Sequence, residues 1–171
     1  MSDKEKDAAR RIADVLAECG IKLVTSLPDD WIAELIKTVS RDNRFIHVPV
    51  NREESAVGLC SGTFFTDVRS VALMGASGFM TCVYAITKIN YTYEIPMLFL
   101  ISLRGQMGDT AKYQISNGLY LEPLMDSIGV PYTLIDSRDR LNQIPRALAH
   151  SRIINRPVVA GLTRDVLRGE A

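Results

Sequence analysis

The chain has 171 residues, 47% of them hydrophobic, with 20 basic and 20 acidic side chains, so it can bury one substantial core and carries no net field that would draw nucleic acid or an anionic membrane. Its three cysteines, Cys19, Cys60 and Cys82, lie in apolar surroundings without zinc-type spacing, which argues against a disulfide framework or a structural metal and for small core residues in a reducing compartment. The amino terminus is charged and no stretch approaches the roughly 18 apolar residues of a membrane span, so the expectation is a cytoplasmic protein with a single domain over 1–171.

Apolar positions Ala8, Ile12, Val15 and Leu16 predict a helix from about Lys4 to Cys19, ended by Gly20 in the manner of a carboxyl-terminal cap. Ile21 to Leu27 reads as a strand and Pro28-Asp29-Asp30 as a turn. Helical pattern resumes from Trp31 to Val39, with Asp29 or Asp30 available as its cap. Further strands are expected at 45–50, 70–74, 96–103, 131–135 and 157–162, separated by helical segments near 53–65, 78–91, 119–128 and 140–153. The strand segments are apolar runs with little alternation, as expected where both faces are covered. Six strands alternating with helices imply an α/β fold: a three-layer, doubly wound, mainly parallel sheet with helices on both faces. The longest stretch without a clear pattern, Arg104 to Asn117, follows the carboxyl end of the fourth strand, the edge at which open parallel sheets bind ligands.

The segment Asn51-Arg52-Glu53-Glu54-Ser55-Ala56 passes from strand to helix, and Ala56, Gly58 and Gly62 follow Glu53 at three, five and nine residues. A carboxylate in a first helical turn is favoured by the helix dipole alone. Small residues at those positions either permit close helix-to-sheet packing or let backbone approach a flat ring. Glu54, rotated by about 100° around the helix, cannot face the same ligand and reads as a solvated or capping residue.

Together with Leu27-Pro28-Asp29-Asp30 and Tyr93-Glu-Ile-Pro-Met-Leu-Phe-Leu-Ile-Ser-Leu-Arg-Gly105, this segment resembles the pyrimidine-binding (PYR) domain of thiamine-diphosphate-dependent 2-oxoacid decarboxylases. The nearest likeness is to sulfopyruvate decarboxylase alpha subunits, with phosphonopyruvate decarboxylase as a near relative, and it extends from the first helix to the last strand. The resemblance implies that Glu53 hydrogen-bonds the aminopyrimidine ring nitrogen and so activates the cofactor. It also implies cofactor contacts from Pro28, Ser77 and Gly78, and a substrate-facing acid that is either Asp29 or Asp30. The turn Gly75-Ala76-Ser77-Gly78 departs from the family's Gly-Pro-Gly, and Thr81 stands where an asparagine is usual.

Pyruvate-type relatives carry histidines after the fourth strand, whereas the two histidines of this chain, His47 and His150, lie in a strand and late in a helix and read as structural. The loop offers Arg104, Lys112, Tyr113 and Gln114 instead. With Arg52, the residues Arg104, Lys112 and Gln114 are candidates for a substrate bearing a second anionic group, a sulfonate or a phosphonate, to which arginine donates two parallel hydrogen bonds. The Gly-Asp-Gly sequence that holds magnesium and the diphosphate is absent, Gly108-Asp109-Thr110 being its nearest approximation. The resemblance therefore implies a separate beta subunit that holds Mg2+ and shares thiamine diphosphate, and no metal ligands on this chain. A redox or nucleotide domain is disfavoured, because neither G-x-G-x-x-G nor a P-loop occurs. A noncatalytic flavodoxin-like assembly module is the reading from outside the enzymes.

Overall fold

Six strands form one sheet in the order β2-β1-β3-β4-β6-β5, and every neighbouring pair is parallel. They are β1 (Leu23–Ser26), β2 (Ile46–Pro49), β3 (Ser70–Gly75), β4 (Met97–Ser102), β5 (Tyr132–Ile135) and β6 (Pro157–Leu162). The helices are α1 (Asp3–Glu18), α2 (Ala33–Ser40), α3 (Glu53–Phe64), α4 (Ala76–Thr81), α5 (Val83–Ala85), α6 (Ile115–Ser127), α7 (Gln143–Ile154) and α8 (Arg164–Arg168). This is a computed structural model, and it describes residues 2–171. No helix among the described residues is long and apolar enough to cross a membrane.

The strands are apolar without alternation because each face of the sheet has its own core. Val24, Leu73, Leu98, Leu100, Val158 and Leu162 point to one side, where Ile12 and Leu16 of α1, Leu35 of α2 and Ile144 of α7 meet them. Their neighbours Ala72, Met74, Phe99, Ile101 and Val159 point to the other, against Val57 of α3, Phe79 of α4 and Leu121 and Met125 of α6. Phe79 and Phe99 pack edge to face, with centroids 5.1 Å apart. At the entry, Ser2 and Glu5 form a capping box for α1, and Gly20 closes its end at φ +74°.

Several elements differ from the sequence expectation. The helix after β3 starts at Ala76 and ends as a π-helix, Ile86–Tyr91, while α6 begins at Ile115 after a 3-10 turn over Lys112–Gln114. The polar start of α6 hides its helical period. Gly118 is there because its backbone lies so close to the Gly105 carbonyl that a Cβ has no room. Neither Asp29 nor Asp30 caps α2, whose first residues have no side-chain cap; Asp29 Oδ1 instead accepts from the Trp31 N–H at 3.1 Å, closing a turn ahead of the helix. Gly58 and Gly62 do not line the inner face of α3. Both are exposed and a Cβ on either would meet nothing within 4 Å, because Ala56, Val57 and Cys60 form the inward stripe.

From β1 the chain moves outward through α2 to β2, and from β3 it moves the other way to β4. The boundary between β1 and β3 is therefore the topological switch point, the place at the carboxyl ends where open parallel sheets bind ligands. Three segments meet there: the Pro28–Asp30 turn after β1, the start of α3 after β2, and the Gly75–Gly78 turn after β3.

Candidate active site

Glu53 is the first residue of α3, entered through Arg52 in extended conformation. Its half-buried carboxylate lies against the turn after β3, so that a Cβ built on Gly78 would stand 2.5 Å from Oε1 and 2.7 Å from Cγ. The absent side chain of Gly78 makes the room that Glu53 fills. No hydrogen bond or ion pair to another described residue engages this carboxylate, whereas Glu54 beside it accepts from Arg52 at 3.0 and 3.4 Å. The Glu53 carboxylate thus sits unpaired at the positive end of the α3 dipole. Burial, and then the charges of Glu53 and Glu54, push the neighbouring Cys82 thiol up to about 12, which keeps it neutral.

The two aspartates after β1 have different surroundings. Asp29 is nearly enclosed: Oδ1 accepts from Ser102 Oγ at 2.6 Å as well as from the Trp31 amide, and Oδ2 lies 3.5 Å from Arg104 Nη1. A Cβ on Gly75 would stand 2.9 Å from Oδ2. Asp30 is exposed, as is Pro28 before it.

Arg104, just past β4, is 4% exposed. Its guanidinium stacks on Trp31 at 4.1 Å from the ring centroid and donates through Nε to Asp109 at 3.0 Å. Asp109 accepts further from the amides of Gly105 at 2.9 Å and Ala111 at 3.0 Å. Burial opposes the charge of Asp109, but the hydrogen bonds from Arg104, Gly105 and Ala111 outweigh it and hold the carboxyl down to about 2. The loop is consequently pinned at its centre, and at its ends the backbones of Gly105 and Gly118 abut.

The other candidates are spread over the same edge. Lys112 is exposed on the 3-10 turn, while Gln114 is buried and its side-chain carbonyl accepts from Asn117. Arg52 is 71% exposed and paired with Glu54. Ser77 is exposed beside the buried Gly78. His47 meets Ser26 Oγ at 2.8 Å on edge strand β2, and His150 lies exposed on α7. The structure thus brings together Glu53 with Gly78, and Asp29 with Arg104, around one turn, and leaves Arg52 pointing to solvent.

Three participants were not singled out from the sequence: Ser102, Asp109 as a loop anchor, and Trp31 as the platform under Arg104. A signal exists for the first, since Ser102 is the one polar residue of the strand Met97–Ser102 and stands at its carboxyl end. For Asp109 and Trp31 the sequence spacing carries no equivalent signal, because their partner is set by the packing of two separate loops.

No group of three or more His, Cys, Asp or Glu side chains clusters among the described residues in a way suited to a metal ion. The chain matches no protein-family model. It is similar to the curated sulfopyruvate decarboxylase subunit alpha of Methanocaldococcus jannaschii, 32% identical over 120 residues that make up 70% of this chain and 71% of the relative. Its counterpart in Methanococcus maripaludis is 29% identical over 126 residues, 74% of this chain and 75% of that one. The sulfopyruvate decarboxylase of Methanosarcina acetivorans is 27% identical over 150 residues, which are 88% of this chain but 38% of that longer protein.

Proposed function

Since the chain belongs to the sulfopyruvate decarboxylase subunit alpha family, we propose that it is the pyrimidine-binding half of a thiamine-diphosphate-dependent enzyme that converts sulfopyruvate to sulfoacetaldehyde and carbon dioxide. The observation that carries this reading is the unpaired Glu53 carboxylate, held at the switch point against Gly78. An acid in that place fits a ring nitrogen that shares a proton with it, the strongest kind of neutral-to-ionic hydrogen bond in a poorly solvated crevice. Glu54 is unsuited to the task, because Arg52 occupies it.

Thiamine diphosphate, when bound, would supply a nucleophilic thiazolium carbon for the 2-oxo carbon and, in its cationic ring, an electron sink for the pair released with carbon dioxide. Glu53 contributes by holding the proton at the aminopyrimidine ring nitrogen, which is general acid–base work worth about 10²–10⁴ in rate. Gly78 contributes by leaving the acid its space. Asp30, exposed beyond the buried Asp29, is the acid free to exchange a proton with substrate. Lys112 supplies an exposed cation on the same edge for the sulfonate.

A partner beta subunit completes the site by holding Mg2+ and the diphosphate. Two observations support it. The Methanosarcina acetivorans protein has more than half of its length outside the match, room for a second half in one polypeptide. The helices on the α3 side of the sheet also expose Leu59 of α3, Tyr84 of α5 and Leu119 and Tyr120 of α6, and Gly58 and Gly62 of α3 are open, features suited to close packing against another subunit. The test is reconstitution: carbon dioxide release from sulfopyruvate with this chain, its partner, thiamine diphosphate and magnesium, with none from the chain alone. Full turnover without a partner overturns the split site, and preference for phosphonopyruvate in the same assay overturns the substrate.

A further inference from the structure

We propose that Arg104 is a positioning residue that ties the acid after β1 to the loop after β4, fixing Asp29 and the Lys112-bearing loop as one unit at the catalytic edge. Its two ends are a matched pair. Nη1 reaches Asp29 at 3.5 Å, Nε reaches Asp109 at 3.0 Å, and the plane between them lies on Trp31. The two carboxylates are 11% and 3% exposed. Bringing three charges out of water carries a desolvation penalty that offsets their attraction, so such a group adds little to stability over an apolar replacement and is better understood as setting geometry.

The geometry it sets is local to the site. Asp109 accepts from the amides at both ends of the 105–111 segment, and Asp29 accepts from Ser102 at the end of β4 and from Trp31 ahead of α2. Without the guanidinium these are two separate anchors, one for each loop. With it, the position of the loop that precedes Lys112 and Gln114 depends on the turn that carries Asp30. Lysine does not replace arginine here, because a point-charge ammonium cannot lie flat on an aromatic face while donating to two separate carboxylates.

The proposal rests on the decarboxylase reading only in saying which reaction is affected, and its first test needs no reaction. In the full chain, Arg104→Met is expected to raise hydrogen exchange at the Gly105 and Ala111 amides by about 10-fold or more while leaving the β4 amides of Leu98 to Ile101 protected, the pattern of local rather than global opening. Unchanged exchange at those two amides overturns the tie. Asp29→Asn, which can turn the acceptor facing Arg104 Nη1 into a donor and leaves both Asp109 oxygens in place, serves as the second variant should Arg104→Met lose its fold, and the same outcomes apply.

In the reconstituted complex, Arg104→Lys is expected to lower kcat by about 10- to 100-fold, the cost of a misplaced group, with affinity for thiamine diphosphate unchanged. Asp109→Asn alone is also expected to lower kcat, and that loss is expected to disappear in the Arg104→Lys background, as for residues acting through one another. Full activity of Arg104→Lys, a rise in KM alone, or losses that multiply independently each overturn the role. Failure of the complex to decarboxylate sulfopyruvate sinks the proposed function and leaves the exchange result standing.

Discussion

The Glu53 carboxylate occupies the space that a side chain on Gly78 would need, with 2.5 Å separating Oε1 from where a Cβ would be. The acid and the glycine come from segments joined only through the sheet, α3 after β2 and α4 after β3, so their pairing is a property of the switch point.

Gly78→Ala follows directly from that contact. In a helix this substitution is worth about 1 kcal/mol of added stability by propensity, which offsets part of the cost of moving Glu53 Cγ and Cδ as well as Oε1, so the melting temperature is expected to change little. Activity of the complex is expected to fall at least about 10-fold because the acid is displaced. Thermal melting and steady-state turnover together check it, and an active Gly78→Ala complex refutes the placement of Glu53.

Glu53→Gln keeps the shape but removes the acid. We expect unchanged assembly with the partner and a loss in turnover of about 100-fold or more, the scale of losing a proton-transfer group. Glu54→Gln is expected to change turnover little, since it removes only an exposed pair with Arg52. Equal effects of the two substitutions count against the assignment.

The aspartates are expected to separate by phenotype. Asp29→Asn alters a buried hub bonded to Ser102, Trp31 and Arg104, so it should lower stability by about 1–3 kcal/mol, measured by urea unfolding. Asp30→Asn should leave the unfolding midpoint in place and reduce kcat. A stability loss from Asp30→Asn, with none from Asp29→Asn, reverses the roles.

Acid should weaken the fold in two windows. Burial lowers the His47 pKa below its ordinary value near 6.5, so the unfolded chain binds the proton more readily; stability is full above about 6.5 and declines as the pH falls below it. Asp109, held down to about 2, contributes stability that is full above about 4 and is lost as the pH drops toward 2. Urea midpoints from pH 8 to 2 measure both, and His47→Gln is expected to remove the first decline alone. A midpoint that stays flat between pH 7 and 5.5 contradicts the burial argument for His47.

The order of strands and helices, the two covered faces of the sheet and the place of Glu53 at a helix start were readable along the chain, because apolar runs, caps and turn residues act over a few neighbours. The beginning of α6 was not, since the backbones of Gln114, Ile115 and Gly118 lie against Gly105 and answer to that contact rather than to a helical period. The same holds within the site. Asp29 and Asp30 are adjacent and chemically identical, yet one is enclosed by Ser102 and Arg104 and the other is exposed. Arg104, a candidate substrate cation by its spacing, faces two internal carboxylates and an indole. Gly58 and Gly62 turn outward although their spacing suggested an inward stripe. For Asp29 and Arg104 the deciding contacts join the ends of β1 and β4, more than 70 positions apart, and strand order in a parallel sheet is fixed by packing of the whole core rather than by any local preference.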